Sequence, residues 1–599
     1  MKRIIISSVL LLAGLVTWAD EVSYEKAFSV AQEFMGKTDL TLQWDGKTDA
    51  SEAVAFYVFS SQAGGWVIVS ADDSTVPILA YSDTGSFGYE GMPSNISDWF
   101  GRMRKDIHQF RKDGLKGSAE IQRKWKYPRR IATRASSSKE LTTPKWNQQS
   151  PYNYYLSQYV KSGKQGVSNL YTGCVATAMA EVLYYHKWPE TGTGTIGGYT
   201  TDTKGYTVST IDISQHTYDW DNMLSSYSNS ASTAQKEAVG LLMLDCGVMV
   251  EMDYTNTSSG SGASPLAVVP ALARHMQYAK TAELKLRSDY TDSEWLSMIA
   301  EEIDNDRPLL YGGYTTSSSG HQFVCDGYDL DNEKLHINWG WGGTSNGYYS
   351  LTLNSGNGTY SQNQMAVFGI EPDRDGSTAY PDIDLEMVYY DYEDSVNGTI
   401  LDEGIVAKGE TFYLSAGKFS NPSYNYYYSG ALQAVLVDKD GHLKEAISNV
   451  LEMTDEDDAD GLPPGYVCWF ENGDEDERFV CKITKDIALG DRIAFWYRLN
   501  DGTTWKPVSF DGTDYSYTWE LACVDVTFIK TEASYAAGDD YVFALVPGNS
   551  GISSIVWTFD GSATEESSVT LSSGTHTVSA TVTYSDGSSE TISQVIIAK

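Results

Sequence analysis

Three groups in this 599-residue chain have the types and the order needed for catalysis by a thiol nucleophile. Cys174 stands in Tyr171-Thr172-Gly173-Cys174-Val175-Ala176-Thr177-Ala178, a glycine followed at once by a thiol and an apolar run. His321 opens His321-Gln322-Phe323-Val324-Cys325, and Asn338-Trp339-Gly340 follows. A thiol attacks as thiolate, and a free pKa of about 8.5 leaves little thiolate at neutral pH. The positive end of a helix and an adjacent imidazolium both favour the anion. A cysteine at a helix start facing a histidine would therefore serve as nucleophile and base.

The elements that must hold these groups are legible in the periodicity. Val175, Met179, Val182, Leu183 and His186 recur at helical spacing, which predicts a helix over 174–186. Gly173 allows a sharp turn or close approach just before it. Phe323 and Val324 have strand character, running into an Asp326-Gly327 turn signal. Cys246 lies in an apolar helical pattern and Cys325 in a strand, so both are expected to be packed thiols. His186 is three turns from Cys174, too far to act as its base, and His275 and His336 have no partner that spacing singles out. All three histidines are expected to be structural.

These blocks resemble the streptopain-like cysteine peptidases, which have a papain-like fold. The resemblance is carried by Gly173-Cys174-Val175-Ala176-Thr177-Ala178 with Tyr185-His186-Lys187-Trp188-Pro189, by His321-Gln322-Phe323-Val324-Cys325-Asp326-Gly327, and by His336-Ile337-Asn338-Trp339-Gly340-Trp341-Gly342-Gly343. An upstream block, Asn147-Gln148-Gln149-Ser150-Pro151-Tyr152-Asn153, stands where papain-like enzymes place an oxyanion-hole glutamine. The resemblance implies Cys174 as nucleophile and His321 as its ion-pair partner. It implies Gln148 as oxyanion donor beside the Cys174 N–H, with Gln149 the rival one residue away. Asn338 or Trp339 would orient or shield the imidazole, with Asn338 favoured as hydrogen-bond acceptor and Trp339 as cover. No metal or cofactor is implied.

Residues 20–134 resemble the inhibitory propeptide of the same family, notably at Gly64-Gly65-Trp66-Val67-Ile68-Val69-Ser70-Ala71-Asp72-Asp73. Strands are expected over 53–59, 66–70 and 78–82 and around Gly85-Ser86-Phe87. From Arg102 to Arg134 the composition is strongly basic, which gives this segment an electrostatic partner in an acidic body. The polar junction over 129–139 is the expected cleavage region of a zymogen whose N-terminal part blocks the cleft or displaces His321.

Length and charge set the remaining limits. The chain is too long for one core, and a net charge of −37 disfavours nucleic-acid binding. Lys2 and Arg3 precede an apolar run over 4–16 that reads as a secretory signal peptide cut after Ala19, implying a secreted, periplasmic or cell-surface protein. No later run is long enough to span a membrane. Six cysteines do not make a disulfide scaffold. Cys468 and Cys481 flank an acidic turn and could face one another across a hairpin, which leaves a disulfide there open.

The expected architecture is α+β: signal peptide 1–19, inhibitory propeptide 20–134, papain-like domain 135–375, a β-rich domain 380–524 and an immunoglobulin-like β-sandwich 525–599. Asp438-Lys439-Asp440-Gly441 and Asp455-Glu456-Asp457-Asp458 lack EF-hand spacing and read as solvated acidic loops. The expected function is a secreted cysteine endopeptidase acting on proteins or peptides, with its own propeptide as inhibitor. The alternative is a surface adhesin with an inactive papain-like domain. A transglutaminase-like transferase would want aspartate where Asn338-Trp339 stands, and no His-Glu-x-x-His motif supports zinc hydrolysis.

Overall fold

The computed structural model describes residues 21–48, 52–92, 94–128, 130, 137–257, 260–313, 321–350, 364–381, 384–387, 398–401, 409, 411–421, 423, 425–426, 430–438, 440–453, 467–470, 479–486, 491–499, 503–510, 521–523, 535–543, 552–584 and 587–599. The signal-peptide reading, the cleavage segment over 131–136, the loop over 314–320 and the acidic run over 455–458 lie outside them. The chain divides into two compact units, one ending at Tyr380 and the other beginning at Pro381.

The first unit is built on one mixed-origin sheet. Its N-terminal strands are β1 (Leu40–Trp44), β2 (Phe56–Ser61), β3 (Trp66–Ser70) and β4 (Ile78–Ser82). The later strands are β5 (Ser138–Glu140), β6 (Glu283–Leu286), β7 (Leu309–Gly313), β8 (His321–Asp329), β9 (Lys334–Asn338), β10 (Gly347–Ser350) and β11 (Gln364–Phe368). The order is β1-β2-β3-β4-β10-β9-β8-β7-β11-β6, with β5 pairing on β8. The propeptide-like segment is therefore joined to the rest by main-chain pairing, with Tyr348 opposite Tyr81 and Tyr349 opposite Ala80.

The helices cover this sheet. Six of them are α1 (Tyr24–Met35), α2 (Ser94–Asp113), α3 (Ala119–Lys126), α4 (Cys174–His186), α5 (Thr233–Val248) and α6 (Asp292–Asp304), beside the shorter Leu156–Tyr159 and Val268–His275. Ser23 and Ser118 cap α1 and α3 through their side chains, and Ser232 and Thr291 form capping boxes on α5 and α6. One core is shared across the propeptide boundary: Trp66, Trp99, Phe100 and Met103 pack with Trp295, Phe323, Trp339 and Tyr349.

Two expectations are corrected here. Asp326-Gly327 is no turn: β8 runs on to Asp329, with an irregularity between Cys325 and Gly327. A Cβ at Gly327 would lie 2.8 Å from the Lys139 carbonyl oxygen and 2.9 Å from the His336 Cβ, so the glycine serves close strand approach rather than reversal. The segment 85–87 is bent, not a strand, and its main chain is spent elsewhere: the Ser86 carbonyl accepts the Ser345 N–H at 3.1 Å. The basic segment is charge-paired both within the N-terminal region and across to the rest of the unit. Arg111 and Arg130 pair with Asp72 and Asp83 of their own segment, and Lys124 reaches across to Glu333 at 2.7 Å.

The second unit is all strand among its described residues. Two six-stranded sheets contain the long strands Phe412–Ser420 and, in the other, Gly430–Val437 and Asp491–Leu499. Cys468 pairs opposite Phe419, whereas Cys481 pairs opposite Phe412. Seven residues along one strand separate those positions by roughly 23 Å, well beyond disulfide reach. The two cysteines are neighbours of one strand, not of each other. Farther on, the strands Ile552–Phe559, Gly574–Tyr584 and Ser589–Ala598 form a four-stranded sheet with Ser562–Thr564.

Candidate active site

Gly173 sets the position of Cys174. Its φ of 88° is a conformation that side chains rarely adopt, and a Cβ there would stand 2.4 Å from the Met252 Sδ. The turn delivers Cys174 as the first residue of α4, which is buried along most of its length. Cys174 is 5% exposed. Burial pushes its thiol pKa up, while the N–H groups of Gln322, Val175 and Cys174 itself pull the other way by hydrogen bonding the sulfur. Of these groups, Gln322 belongs to β8, next to His321. Desolvation outweighs them and leaves the thiol pKa above its ordinary value.

His321 is the first residue of β8, with its main chain opposite Gly313; its side chain lies outside the described residues. The Arg102 guanidinium, from α2, covers this strand pair so closely that a Cβ on Gly313 would lie 3.2 Å from it. Trp99 from the same helix meets Phe323 edge-on at 5.4 Å and Trp339 at 5.5 Å. Gly88 donates its N–H to the Ser345 hydroxyl at 3.2 Å. The propeptide-like segment therefore sits on the strand and loop that flank His321.

The Gln148 carbonyl accepts the Thr172 N–H at 3.0 Å, two residues before Cys174. Gln148 is buried and Gln149 exposed, so only the former is enclosed near the thiol segment. Asn338 spends its amide on other partners: Nδ2 donates to Thr143 Oγ1 at 3.0 Å and to the Pro144 carbonyl at 2.7 Å. Its Oδ1 accepts from the Gly340 N–H at 3.3 Å and the Asn346 amide at 2.9 Å. Trp339 is 1% exposed and lies 4.5 Å from the Phe323 ring, centroid to centroid.

Sequence matches correspond to this geometry. The peptidase C10 family matches residues 146–349, and the Spi protease inhibitor family matches residues 19–107. Streptopain from Streptococcus pyogenes is 35% identical over 342 residues, covering 53% of this chain and 80% of the relative. The chain belongs to the peptidase C10 family. A second C10-like relative, the thiol protease/hemagglutinin PrtT of Porphyromonas gingivalis, is 31% identical over 445 residues. That alignment covers 70% of this chain and 50% of PrtT, so the chain spans half that relative's length. Among solved structures, the Prevotella intermedia prointerpain A fragment is 30% identical, covering 57% of this chain and all of the fragment at a TM-score of 0.43. The Spi protease inhibitor match thus lies in the segment before the C10 match in this chain.

Behind the C10 site lies a buried polar cluster that spacing did not reveal. Glu181, fully buried in α4, accepts the Trp146 N–H at 3.0 Å. Burial raises its pKa well above the carboxylate range; the nearby Asp326 adds to this, and the Trp146 and Asn338 donors oppose it. Asp326 accepts from the Thr143 hydroxyl and lies 2.5 Å from His336 Nδ1. Burial alone would lower the His336 pKa, but the Asp326 carboxylate and its hydrogen bond leave it raised. The one available signal was a charged residue inside the apolar Ala178-Met179-Ala180-Glu181-Val182-Leu183 run.

The remaining candidates are core. Cys246 and Cys325 are fully buried, and burial drives the His186 pKa down to about 4, keeping it neutral. In the second unit, ligand atoms of Asp438, Asp440 and His442 lie within 4.8 Å of one another. The Asp438 carboxylate there accepts the main-chain N–H groups of Asp440 and His442, both at 2.9 Å, as acidic turn residues do.

Proposed function

We propose that this chain is the zymogen of a secreted cysteine endopeptidase. Cys174 attacks the scissile carbonyl, the His321 imidazole takes the thiol proton and returns it to the leaving amine, and water then hydrolyses the thioester. Gln148 and the Cys174 N–H would stabilise the tetrahedral oxyanion, an interaction typically worth about 2.7–4 kcal/mol per donor. Trp339 shields the imidazole from solvent. For Asn338 to accept from that imidazole, it would have to give up the Gly340 or Asn346 donor when the propeptide leaves.

The observation that carries this reading is the convergence at the sulfur. Cys174 opens α4, and the Gln322 main chain, next to His321 on β8, works with the helix N–H groups to lower the thiol pKa against its burial, while the main chain of Gln148 is tied to Thr172. Nucleophile, base-bearing strand and oxyanion segment meet in one place, as acyl transfer requires. The pairing of β4 with β10 and the Trp99 contacts support residues 20–134 as the inhibitor that keeps the site closed. Because Ser138–Glu140 is already strand-paired on β8, the activating cut falls before Ser137. The apolar run over 4–16 supports export, and the core uniting Tyr541, Val578, Val582 and Ile596 supports an immunoglobulin-like tail.

The test is to incubate the purified full chain, wild type beside Cys174→Ala, under mild reduction while following chain length and casein cleavage. Shortening near residue 134 with gained activity in the wild type alone is the expected result. Equal processing of both chains without hydrolysis would overturn the catalytic reading.

A further inference from the structure

Thr177 lies one turn past Cys174, 1% exposed, and its side chain meets the turn before Cys174, the Thr172 segment and the loop after Trp339. Its hydroxyl donates to the Gly173 carbonyl at 2.8 Å, just ahead of the nucleophile. The same oxygen lies 2.9 Å from the Thr172 hydroxyl, and the two share a hydrogen bond in which either can donate. Thr172, fully buried, holds the Gln148 carbonyl through its N–H at 3.0 Å, with its hydroxyl 3.4 Å from the same oxygen. On the other side the Thr177 methyl abuts the loop after Asn338-Trp339: a Cβ on Gly340 would lie 3.1 Å from the Thr177 Cγ2.

A threonine bonding back to the carbonyl four residues earlier is a common local device within helices. Such a bond needs nothing from a neighbouring segment. Here the hydroxyl also bonds the Thr172 hydroxyl of the segment that holds Gln148, so one side chain ties the helix start to that segment. The pair is fully enclosed, and removing one member leaves a buried hydroxyl without its partner.

We propose that Thr177 is a positioning residue, whose hydroxyl sets the distance between Gln148 and Cys174 and thereby brings the oxyanion donors into register. The inference rests on Gln148 being an oxyanion donor. Such donors work only at about 2.7–3.1 Å from the oxygen that becomes charged, and a displacement of about 1 Å costs on the order of 100-fold in rate.

The experiment uses the full chain after processing, with active sites titrated. It measures kcat and KM on a peptide substrate and the rate of Cys174 alkylation by iodoacetamide. Alkylation displaces iodide from a tetrahedral carbon and forms no oxyanion, so it reports on the thiolate alone. Thr177→Val should lower kcat about 10- to 100-fold, with KM and alkylation rate within about twofold of wild type. Thr177→Ser keeps the hydroxyl and should recover kcat to within about threefold of wild type. Thr172→Val breaks the same link from the other side, leaves the Thr177–Gly173 bond intact and should lower kcat alike. Wild-type kcat per titrated site in both valine variants overturns the proposal. So does a parallel fall in kcat and alkylation, or failure of serine to rescue. Gln148→Ala separates the two readings: if it turns over like wild type, the oxyanion assignment itself fails, whatever Thr177 does.

Discussion

Replacing Trp99 by alanine should unlock the closed site before any peptide bond is cut. Trp99 belongs to α2 of the propeptide region, and it meets two rings on the peptidase side, Phe323 at 5.4 Å and Trp339 at 5.5 Å, both edge-on. Edge-to-face pairs contribute about 0.5–1.5 kcal/mol each beyond their area. Losing both therefore weakens the closed state by about 1–3 kcal/mol, before any cavity term. At 1.4 kcal/mol per tenfold, the population with an accessible thiol rises about 5- to 150-fold. The assay is alkylation of Cys174 in uncleaved full chain by iodoacetamide at fixed pH, read by intact mass. Closed Cys174 is buried and its thiol pKa is raised, so alkylation reports the open fraction. If Trp99→Ala melts earlier yet alkylates at the wild-type rate, Trp99 serves only the stability of its own segment and the locking argument is wrong.

The Tyr81 hydroxyl, also from the propeptide region, donates to the buried Asp329 carboxylate at 2.6 Å. Tyr81→Phe should cost the full chain about 1.5–3 kcal/mol, and a double-mutant cycle with Asp329→Asn should show coupling; additive effects would refute the bond's importance. Gly327→Ala places a Cβ against the Lys139 carbonyl and His336, so it should lower unfolding stability by about 1–3 kcal/mol, checked by denaturant titration. His216 Nδ1 lies 2.8 Å from Asp245 Oδ2, and that hydrogen bond raises the histidine pKa. A raised folded pKa gives stability that is complete below the unfolded value of about 6.5 and lost as pH climbs through the folded value. The stability gap between wild type and His216→Gln should therefore narrow as pH rises from about 6 upward, and a gap that does not change with pH would exclude the charged pair.

Local chemistry made the thiol segment legible. Gly173, Cys174 and the apolar spacing after them specify a turn and a helix start through backbone sterics and 3.6-residue periodicity, and α4 begins and ends where that spacing places it. Strands such as Trp66–Ser70 and Gly574–Tyr584 were equally readable, because β-branched and aromatic residues cluster there between turn residues. Asp326-Gly327 was misread because glycine marks both reversal and close approach, and only the strand lying against it distinguishes them.

The sequence by itself determined which family the chain resembles and what local geometry its candidate residues prefer, since helix starts, strand runs and turn glycines are decided within a few residues. Only the tertiary structure decided that β4 would pair with β10, that Trp99 would close on Trp339, and that burial would raise the Cys174 pKa. It also decided that Glu181 would hold the Trp146 main chain and that Thr177 would link the Gln148 segment to the helix. Those outcomes depend on burial and on partners tens to hundreds of residues away, and neither desolvation nor a long-range hydrogen bond leaves a local pattern in the chain.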